Sequence, residues 1–212
     1  MSVVSPTLRT RIRGIATPVA LAMGKVGLTP NALTLIGFFI AIIAAGAAAA
    51  QSWILAGVLV VFGGVFDLFD GALARATGKA SKLGAFMDSV FDRWGEGIIY
   101  VGIAWGCVNA GYDLAAVLSA AALASAFMVS YARAKSEGLG FTQGTGMAAV
   151  GLAPREVRIV ILTVGLILAG TLGANNQNGL AFTLGLITIL ATITVIQRIV
   201  HVLRQPSPEE AQ

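Results

Sequence analysis

Residues 67–92 read DLFDGALARATGKASKLGAFMDSVFD and contain four of the chain's ten acidic side chains. Four of the five aspartates in the chain fall within this stretch: Asp67, Asp70, Asp88 and Asp92. The flanking sequence is apolar, where an ionised side chain is costly unless it meets opposite charge. Several carboxylates together in these surroundings therefore indicate a cation among them.

Spacing predicts the direction in which these side chains face. A first helix carries four residues at i, i+3, i+4 and i+7, and so on one face: Asp67, Asp70, Gly71 and Ala74. A second helix carries four residues at steps of four: Gly84, Asp88, Asp92 and Glu96. The polar turn at 77–81 predicts that the helices are antiparallel and that these faces are opposed. Carboxylates in this number suit Mg²⁺, Mn²⁺ or Ca²⁺.

Small residues and an arginine accompany the acids. Gly71, Ala74 and Gly84 leave room for a ligand to approach the backbone, and Arg75 offers a planar fork suited to phosphate. Each feature also has a plain explanation: helix packing for the small residues, a topology marker for Arg75, and a local partner, Arg93, for Glu96. The combination favours a diphosphate site.

Composition identifies an integral membrane protein. The chain has 212 residues, of which 57% are hydrophobic and 11% charged, and its mean hydropathy is +0.85. The single cysteine, Cys107, excludes an internal disulfide. The net charge of +4 comes from cations that gather at the edges of apolar segments, so the sequence predicts no nucleic-acid partner.

The predicted fold is all-α, with six transmembrane helices after an N-terminal amphipathic helix that lies in the membrane interface. Hydropathy places the spans at 32–50, 53–75, 82–108, 113–134, 156–174 and 179–200. In the interfacial segment, 1–30, apolar residues recur at helical spacing beside arginines, and Thr29 is a candidate cap for the first span. We expect one membrane domain over 1–204 and a disordered polar tail over 205–212.

The distribution of Lys and Arg predicts the orientation. Alternate connections carry them, namely 9–25, 75–82, 133–158 and 198–204, whereas the connections around 51, 109–112 and 175–178 carry none. The positive-inside rule then predicts a multi-pass protein of the cytoplasmic membrane, with both termini and residues 67–92 on the cytoplasmic side.

One group of cations exceeds what topology requires. Arg133 and Lys135 end the fourth predicted span, and Arg155 and Arg158 begin the fifth. Four cations at the ends of adjacent helices predict an anion pocket beside the aspartates, although positive-inside marking remains the alternative.

The pattern D-x2-D-G-x2-A-R-x8-G-x3-D-x3-D is complete between Asp67 and Asp92, and it resembles the signature of the CDP-alcohol phosphotransferases, membrane enzymes of phospholipid synthesis. The segments 130–140 and 155–158 further resemble those of phosphatidylinositol phosphate synthases. One departure is Val157, where these relatives usually have glutamate.

The resemblance implies a reaction and a site. One or two Mg²⁺ or Mn²⁺ ions would be held by Asp67, Asp70, Asp88 and Asp92, and Asp92 would be the general base. The CDP-lipid would contact nine residues: Asn31, Thr34, Asp67, Asp70, Gly71, Ala74, Arg75, Ser81 and Gly84. The phosphate of the acceptor would be held by four cations: Arg133, Lys135, Arg155 and Arg158.

The implied substrates are CDP-diacylglycerol and inositol 1-phosphate, the products are phosphatidylinositol phosphate and CMP, and the implied assembly is a homodimer in membrane lipid. Two alternatives remain at this point. One is a phosphatidylglycerophosphate synthase, which uses glycerol 3-phosphate. The other is a divalent-cation transporter, because acidic residues in membrane helices also form ion paths.

Overall fold

The chain is all-helical. A computed structural model describes residues 6–141, 146, 147, 150–172 and 177–205, and seven α-helices occupy nearly all of them. They are α1 (Pro6–Lys25), α2 (Pro30–Ala49), α3 (Trp53–Ala76), α4 (Lys82–Asn109), α5 (Asp113–Gly138), α6 (Arg155–Thr171) and α7 (Gln177–Leu203). The predicted helical class is confirmed, whereas residues 206–212 of the predicted tail lie outside the described residues.

Four of the described helices are long and apolar enough to cross a membrane, namely α2, α3, α5 and α7. Two helices of the predicted six spans differ from them. α6 has 17 residues, and α4 carries five charged residues, all between its first residue and Glu96: Lys82, Asp88, Asp92, Arg93 and Glu96. Length and composition therefore support four spans, and the crossings by α4 and α6 stay predictions.

Six helices form a ring. Each packs most closely on two others, in the order α2, α3, α6, α7, α5, α4 and back to α2. Antiparallel neighbours place the beginnings of α2, α4 and α6 at the same end of the ring as the ends of α3, α5 and α7. We call this the site end. The order of packing puts α4 and α6 on opposite sides of the ring.

Small residues bring α2 and α4 into close contact. A Cβ atom on Gly102 would lie 2.3 Å from the carbonyl oxygen of Ala45, and one on Gly106 would lie 2.2 Å from that of Ala48. Contacts of this kind are possible only for glycine, and they replace the apolar burial that drives helix packing in water. One face of the alanine-rich α2 is therefore packed against its neighbours, whereas Phe39 and Ile43 on the other face are exposed.

Two caps fix the helices that begin at the site end. The N–H of Ala32 donates to the hydroxyl oxygen of Thr29 at 3.2 Å, which confirms Thr29 as the cap of α2. The N–H of Gly84 donates to the hydroxyl oxygen of Ser81 at 3.0 Å, and this bond caps α4. The turn between α3 and α4 includes Gly78, whose φ of 66° favours glycine.

Helix α1 lies against the outside of the ring and packs on α3. Its contact is made by the buried residues Ala16 and Ala20, which meet Leu33, Ala72 and Leu73 in a small apolar cluster. Arginines 9, 11 and 13, which predict an interfacial position, have side chains outside the described part of the chain. The interfacial position of α1 therefore stays a prediction.

Candidate functional site

The four aspartates lie at the site end, on two helices that the turn at 77–81 connects. Asp67 and Asp70 belong to the last part of α3, and Asp88 and Asp92 belong to the first part of α4. The carboxylates are close enough to interact electrostatically: Asp67 interacts with the other three, and Asp88 interacts with Asp70 and Asp92. The predicted opposition of the two faces is thus realised in the fold.

Asp70 is the most buried of the four, and its partner comes from α2. The Thr34 hydroxyl donates to Asp70 Oδ2 at 2.6 Å, and both residues are buried. Thr34 was expected to contact the CDP-lipid. In the structure it orients a carboxylate of the aspartate site, a contact that spacing along the chain does not reveal.

Asp67 and Asp92 share an arginine from α6, which packs on α3 and lies across the ring from α4. Arg155, the first residue of α6, lies 2.8 Å from Asp67 Oδ2 through Nη2 and 3.0 Å from Asp92 Oδ2 through Nη1. Gly37 of α2 makes room for this arrangement, because a Cβ atom there would lie 2.9 Å from Asp67 Oδ1. Arg155 therefore lies among the aspartates.

The four aspartates offer carboxylate oxygens, and these are the ligands that hard divalent cations prefer. Their side-chain arrangement is not yet that of a metal site. Among the described residues, no three acidic or other ligating side chains converge on one point. The contacts give a reason: Arg155 engages Asp67 and Asp92, whereas Thr34 engages only one oxygen of Asp70, Oδ2. Metal binding by the four aspartates stays a prediction, and it requires Asp67 and Asp92 to turn.

A cleft between α2, the end of α3 and the start of α4 collects most of the predicted CDP-lipid contacts. Eight of the nine line it: Asn31, Thr34, Asp70, Gly71, Ala74, Arg75, Ser81 and Gly84. Asp67 instead lines a neighbouring cavity inside the ring, to which Thr34 also contributes. Lys79 and Asp88 line the cleft too. Lys79 is a cation that the sequence analysis treated only as part of the turn.

The small residues of the signature have specific neighbours in this cleft. A Cβ atom on Gly71 would lie 3.1 Å from Arg75 Nη1, so glycine lets the guanidinium fold over the helix. A Cβ atom on Gly84 would lie 3.2 Å from the hydroxyl oxygen of Ser81 and 3.5 Å from Asn31 Oδ1. These glycines thus leave room for the Arg75 guanidinium and for two polar side chains along the cleft walls.

The four predicted acceptor-binding cations do not lie in equivalent surroundings. Arg133 and Lys135 are at least partly exposed near the end of α5, and Arg133 pairs with Glu137 at 2.9 Å. Arg155 contacts the aspartates. Arg158 is fully buried, whereas the other three cations are at least partly exposed, which does not fit one anion pocket shared by all four. Burial follows from its position one turn further along α6, where its side chain enters the ring.

Glu96 is the partner of Arg158, not of Arg93. The two side chains form two parallel hydrogen bonds, from Nε to Oε1 at 2.8 Å and from Nη2 to Oε2 at 2.7 Å. Arg93 contacts Asp92 Oδ2 at 3.5 Å, the backbone oxygen of Ser89, and the hydroxyl of Ser130. The local pairing of Glu96 with Arg93, which helical spacing allows, is therefore wrong.

Arg198 of α7 is a further buried cation that the sequence analysis assigned to topology alone. It is 4% exposed and donates to the backbone oxygens of Val129 and Val150. It interacts electrostatically with Arg133 and Arg158. Its position within an apolar helix could have identified Arg198 from the sequence as a functional or structural residue, because a charged side chain is seldom found there without a role.

Comparison with known proteins gives the same assignment as the signature. Residues 27–203 match the family model described as CDP-alcohol phosphatidyltransferase. An archaetidylinositol phosphate synthase from Pyrococcus horikoshii is 36% identical over 192 residues, which cover 91% of this chain and 93% of the relative. A phosphatidylinositol phosphate synthase from Cutibacterium acnes is 33% identical over 197 residues, covering 90% and 93%.

Solved structures agree with the fold. The crystal structure of Mycobacterium tuberculosis phosphatidylinositol phosphate synthase with CDP-DAG bound is similar to this chain with a TM-score of 0.80 and 26% identity, covering 91% of this chain and 95% of the other. A structure of that enzyme in complex with manganese and citrate gives a TM-score of 0.78, 25% identity and 90% coverage of both chains. Because both the family model and these relatives span most of its length, this chain is a member of the CDP-alcohol phosphatidyltransferase family of membrane enzymes.

Proposed function

We propose that this enzyme transfers the phosphatidyl group of CDP-diacylglycerol to inositol 1-phosphate and so produces phosphatidylinositol phosphate and CMP. The supporting observation is the set of cations beyond those that line the donor cleft. Arg75 and Lys79 lie in that cleft, whereas Arg133 and Arg155 belong to helices on the other side of the ring. A second group of cations suits an acceptor that carries its own phosphate. The names of the Pyrococcus and Cutibacterium relatives agree with an inositol phosphate acceptor.

In this proposal the CDP-lipid lies in the cleft between α2, α3 and α4, with its diphosphate near Arg75 and the aspartates. The nucleotide end of the lipid lies beside Asn31, Ser81 and the two glycines of the cleft, Gly71 and Gly84. A divalent ion held by Asp67, Asp70, Asp88 and Asp92 would supply neutralisation of the diphosphate charge. The apolar faces of the neighbouring helices keep the lipid chains in the membrane while the headgroup reacts.

The chemical step joins the acceptor hydroxyl oxygen to the phosphorus that carries the lipid. The bond between that phosphorus and the oxygen of CMP breaks, and CMP leaves. Asp92 takes the hydroxyl proton as general base. Arg93 and Arg155 both contact Oδ2 of Asp92, which leaves its Oδ1 to accept the proton. Arg133, Lys135 and Arg155 hold the acceptor phosphate.

The chain's Lys and Arg distribution supports an orientation in which both termini and the site face the cytoplasm, where phosphorylated polyols are available. Labelling of single introduced cysteines at position 79, at the site end, and at position 111, between α4 and α5, tests this in intact cells. Protection of position 79 and labelling of position 111 by a membrane-impermeant reagent are expected; the opposite pattern contradicts the orientation. Homodimer formation stays a prediction from the family resemblance.

The proposed acceptor is tested with purified protein, CDP-diacylglycerol and Mn²⁺, by measuring CMP release with inositol 1-phosphate, glycerol 3-phosphate, free inositol or serine. Release that only inositol 1-phosphate stimulates is the expected result. Stimulation only by glycerol 3-phosphate would identify a phosphatidylglycerophosphate synthase and refute the proposed acceptor. Parallel reactions with a CDP-linked archaeal ether lipid determine which donor is preferred. Membership of an enzyme family argues against the transporter alternative.

A further inference from the structure

The ion pair of Glu96 and Arg158 lies in the middle of the ring and takes no direct part in the proposed reaction. Its side chains are 5% and 1% exposed, respectively. The guanidinium and the carboxylate meet in a parallel, two-bond geometry, with distances of 2.8 and 2.7 Å. This geometry is the one that fixes both the distance and the relative rotation of the two groups.

The pair joins helices that are opposite each other in the ring. Glu96 belongs to α4, which packs most closely on α2 and α5, and Arg158 belongs to α6, which packs most closely on α3 and α7. The ion pair therefore determines the width of the ring at this level, where the backbones of α4 and α6 are not close neighbours.

A second contact between the same helices lies one turn nearer the site end. Glu96 follows Asp92 by four residues on α4, and Arg158 follows Arg155 by three on α6, so each pair of residues shares a helix face. Arg155 Nη1 and Asp92 Oδ2 are 3.0 Å apart. The two ion pairs are thus successive links between α4 and α6, and the buried pair lies one turn further from the site end than the pair that carries the proposed chemistry.

Arg158 also fixes the turn from which α6 begins. Its Nη1 donates to the backbone oxygen of Ala153 at 2.9 Å. The N–H groups of Leu152 and Ala153 donate in turn to the hydroxyl oxygen of Thr194 on α7, at 3.1 and 2.9 Å. Arg155 is two residues beyond this anchored turn, so its backbone is held from two sides.

We infer that Glu96 and Arg158 are positioning residues, which hold Arg155 against Asp67 and Asp92 across the ring. This inference rests on the proposed function, because it takes Asp92 as the base and Arg155 as an acceptor contact. It replaces the direct phosphate contact that the sequence predicted for Arg158, whose Nε, Nη1 and Nη2 all bond to protein atoms. Buried ion pairs are often no more stabilising than apolar residues, so a gain in stability alone does not account for this pair, and its two-bond geometry favours a geometric role.

The test compares Glu96→Gln, Arg158→Gln and the double variant with wild type. Glu156→Gln is the matched control, because Glu156 is exposed on the same helix. Each single variant leaves one buried charge unpaired and is expected to lower the melting temperature. The double variant removes both charges and is expected to recover most of that loss, the remainder coming from the lost hydrogen bond to the Ala153 oxygen. Turnover is measured for all variants with the acceptor that supports CMP release by wild type, so that an error in the proposed acceptor is recognised separately.

Positioning predicts that kcat falls by roughly 10- to 100-fold in both single variants and stays low in the double variant, even though its melting temperature recovers. Recovery of kcat together with stability in the double variant would show that the pair is only structural. A raised acceptor KM for Arg158→Gln with normal kinetics for Glu96→Gln would instead identify Arg158 as a direct phosphate ligand. Either result would overturn the inference.

Discussion

Replacing Thr34 with valine tests how the aspartate site is held in place. Valine has nearly the shape of threonine but lacks the hydroxyl that donates to Asp70 Oδ2 at 2.6 Å. Thr34 is 5% exposed and Asp70 is 4% exposed, so water cannot readily replace the lost donor. The carboxylate is expected to leave its present orientation in the variant.

The size of the effect follows from the bond that is removed. A hydrogen bond to a charged group contributes about 1.5–3 kcal/mol. Because each 1.4 kcal/mol corresponds to a factor of ten, Thr34→Val is expected to weaken binding of a divalent ion by roughly 10- to 150-fold if the whole contribution acts through Asp70. The Thr34→Ser variant keeps the hydroxyl and loses only a methyl group, so it is expected to bind with near wild-type affinity.

The assay is titration of purified protein with Mn²⁺ in the absence of CDP-lipid, with free Mn²⁺ followed by electron paramagnetic resonance. Omission of the lipid separates an effect on Asp70 from any direct contact of Thr34 with the nucleotide. Wild-type Mn²⁺ affinity in the valine variant would refute the reasoning. Equal losses in the valine and serine variants would assign the effect to packing rather than to the hydrogen bond.

Three further changes test other parts of the account. Asp92→Asn is expected to abolish CMP release while CDP-lipid binding persists; normal turnover would disprove the assignment of the base. Gly102→Ala introduces a Cβ 2.3 Å from a carbonyl oxygen of α2 and is expected to lower the melting temperature, at a cost of about 1–3 kcal/mol, whereas Gly46→Ala, with nothing within 4 Å, is expected to have little effect. Arg198→Met leaves two backbone carbonyls without their donor and is expected to destabilise the protein more than Arg204→Met at an exposed site; equal melting temperatures would contradict that role.

Local features of the site could be predicted from the sequence, because they depend on helical spacing and on residues close in the chain. The two acidic faces, the Thr29 cap and the turn at 77–81 follow from such short-range rules, and most of the predicted CDP-lipid contacts line one cleft. Helix α4 carries five charged residues and α2 carries none. Hydropathy therefore predicts a membrane span less reliably for α4 than for α2.

Contacts between residues far apart in the chain could not be predicted in the same way. Spacing offered Arg93 as the nearby partner of Glu96, but the actual partner is 62 residues away on the opposite helix. The same applies to Arg155 between the aspartates and to Thr34 beside Asp70, which is 36 residues away. Periodicity indicates which residues share a helix face, whereas the order of helices around the ring determines what that face meets.

The central claim is that the acceptor brings its own phosphate, and the most direct test follows that phosphate into the lipid. Purified enzyme is incubated with CDP-diacylglycerol, Mn²⁺ and inositol 1-phosphate labelled with radioactive phosphorus, and the organic extract is counted and examined by mass spectrometry. The account predicts labelled lipid with the mass of phosphatidylinositol phosphate, formed together with an equal amount of CMP and absent with Asp92→Asn. CMP release without label in the lipid would contradict it.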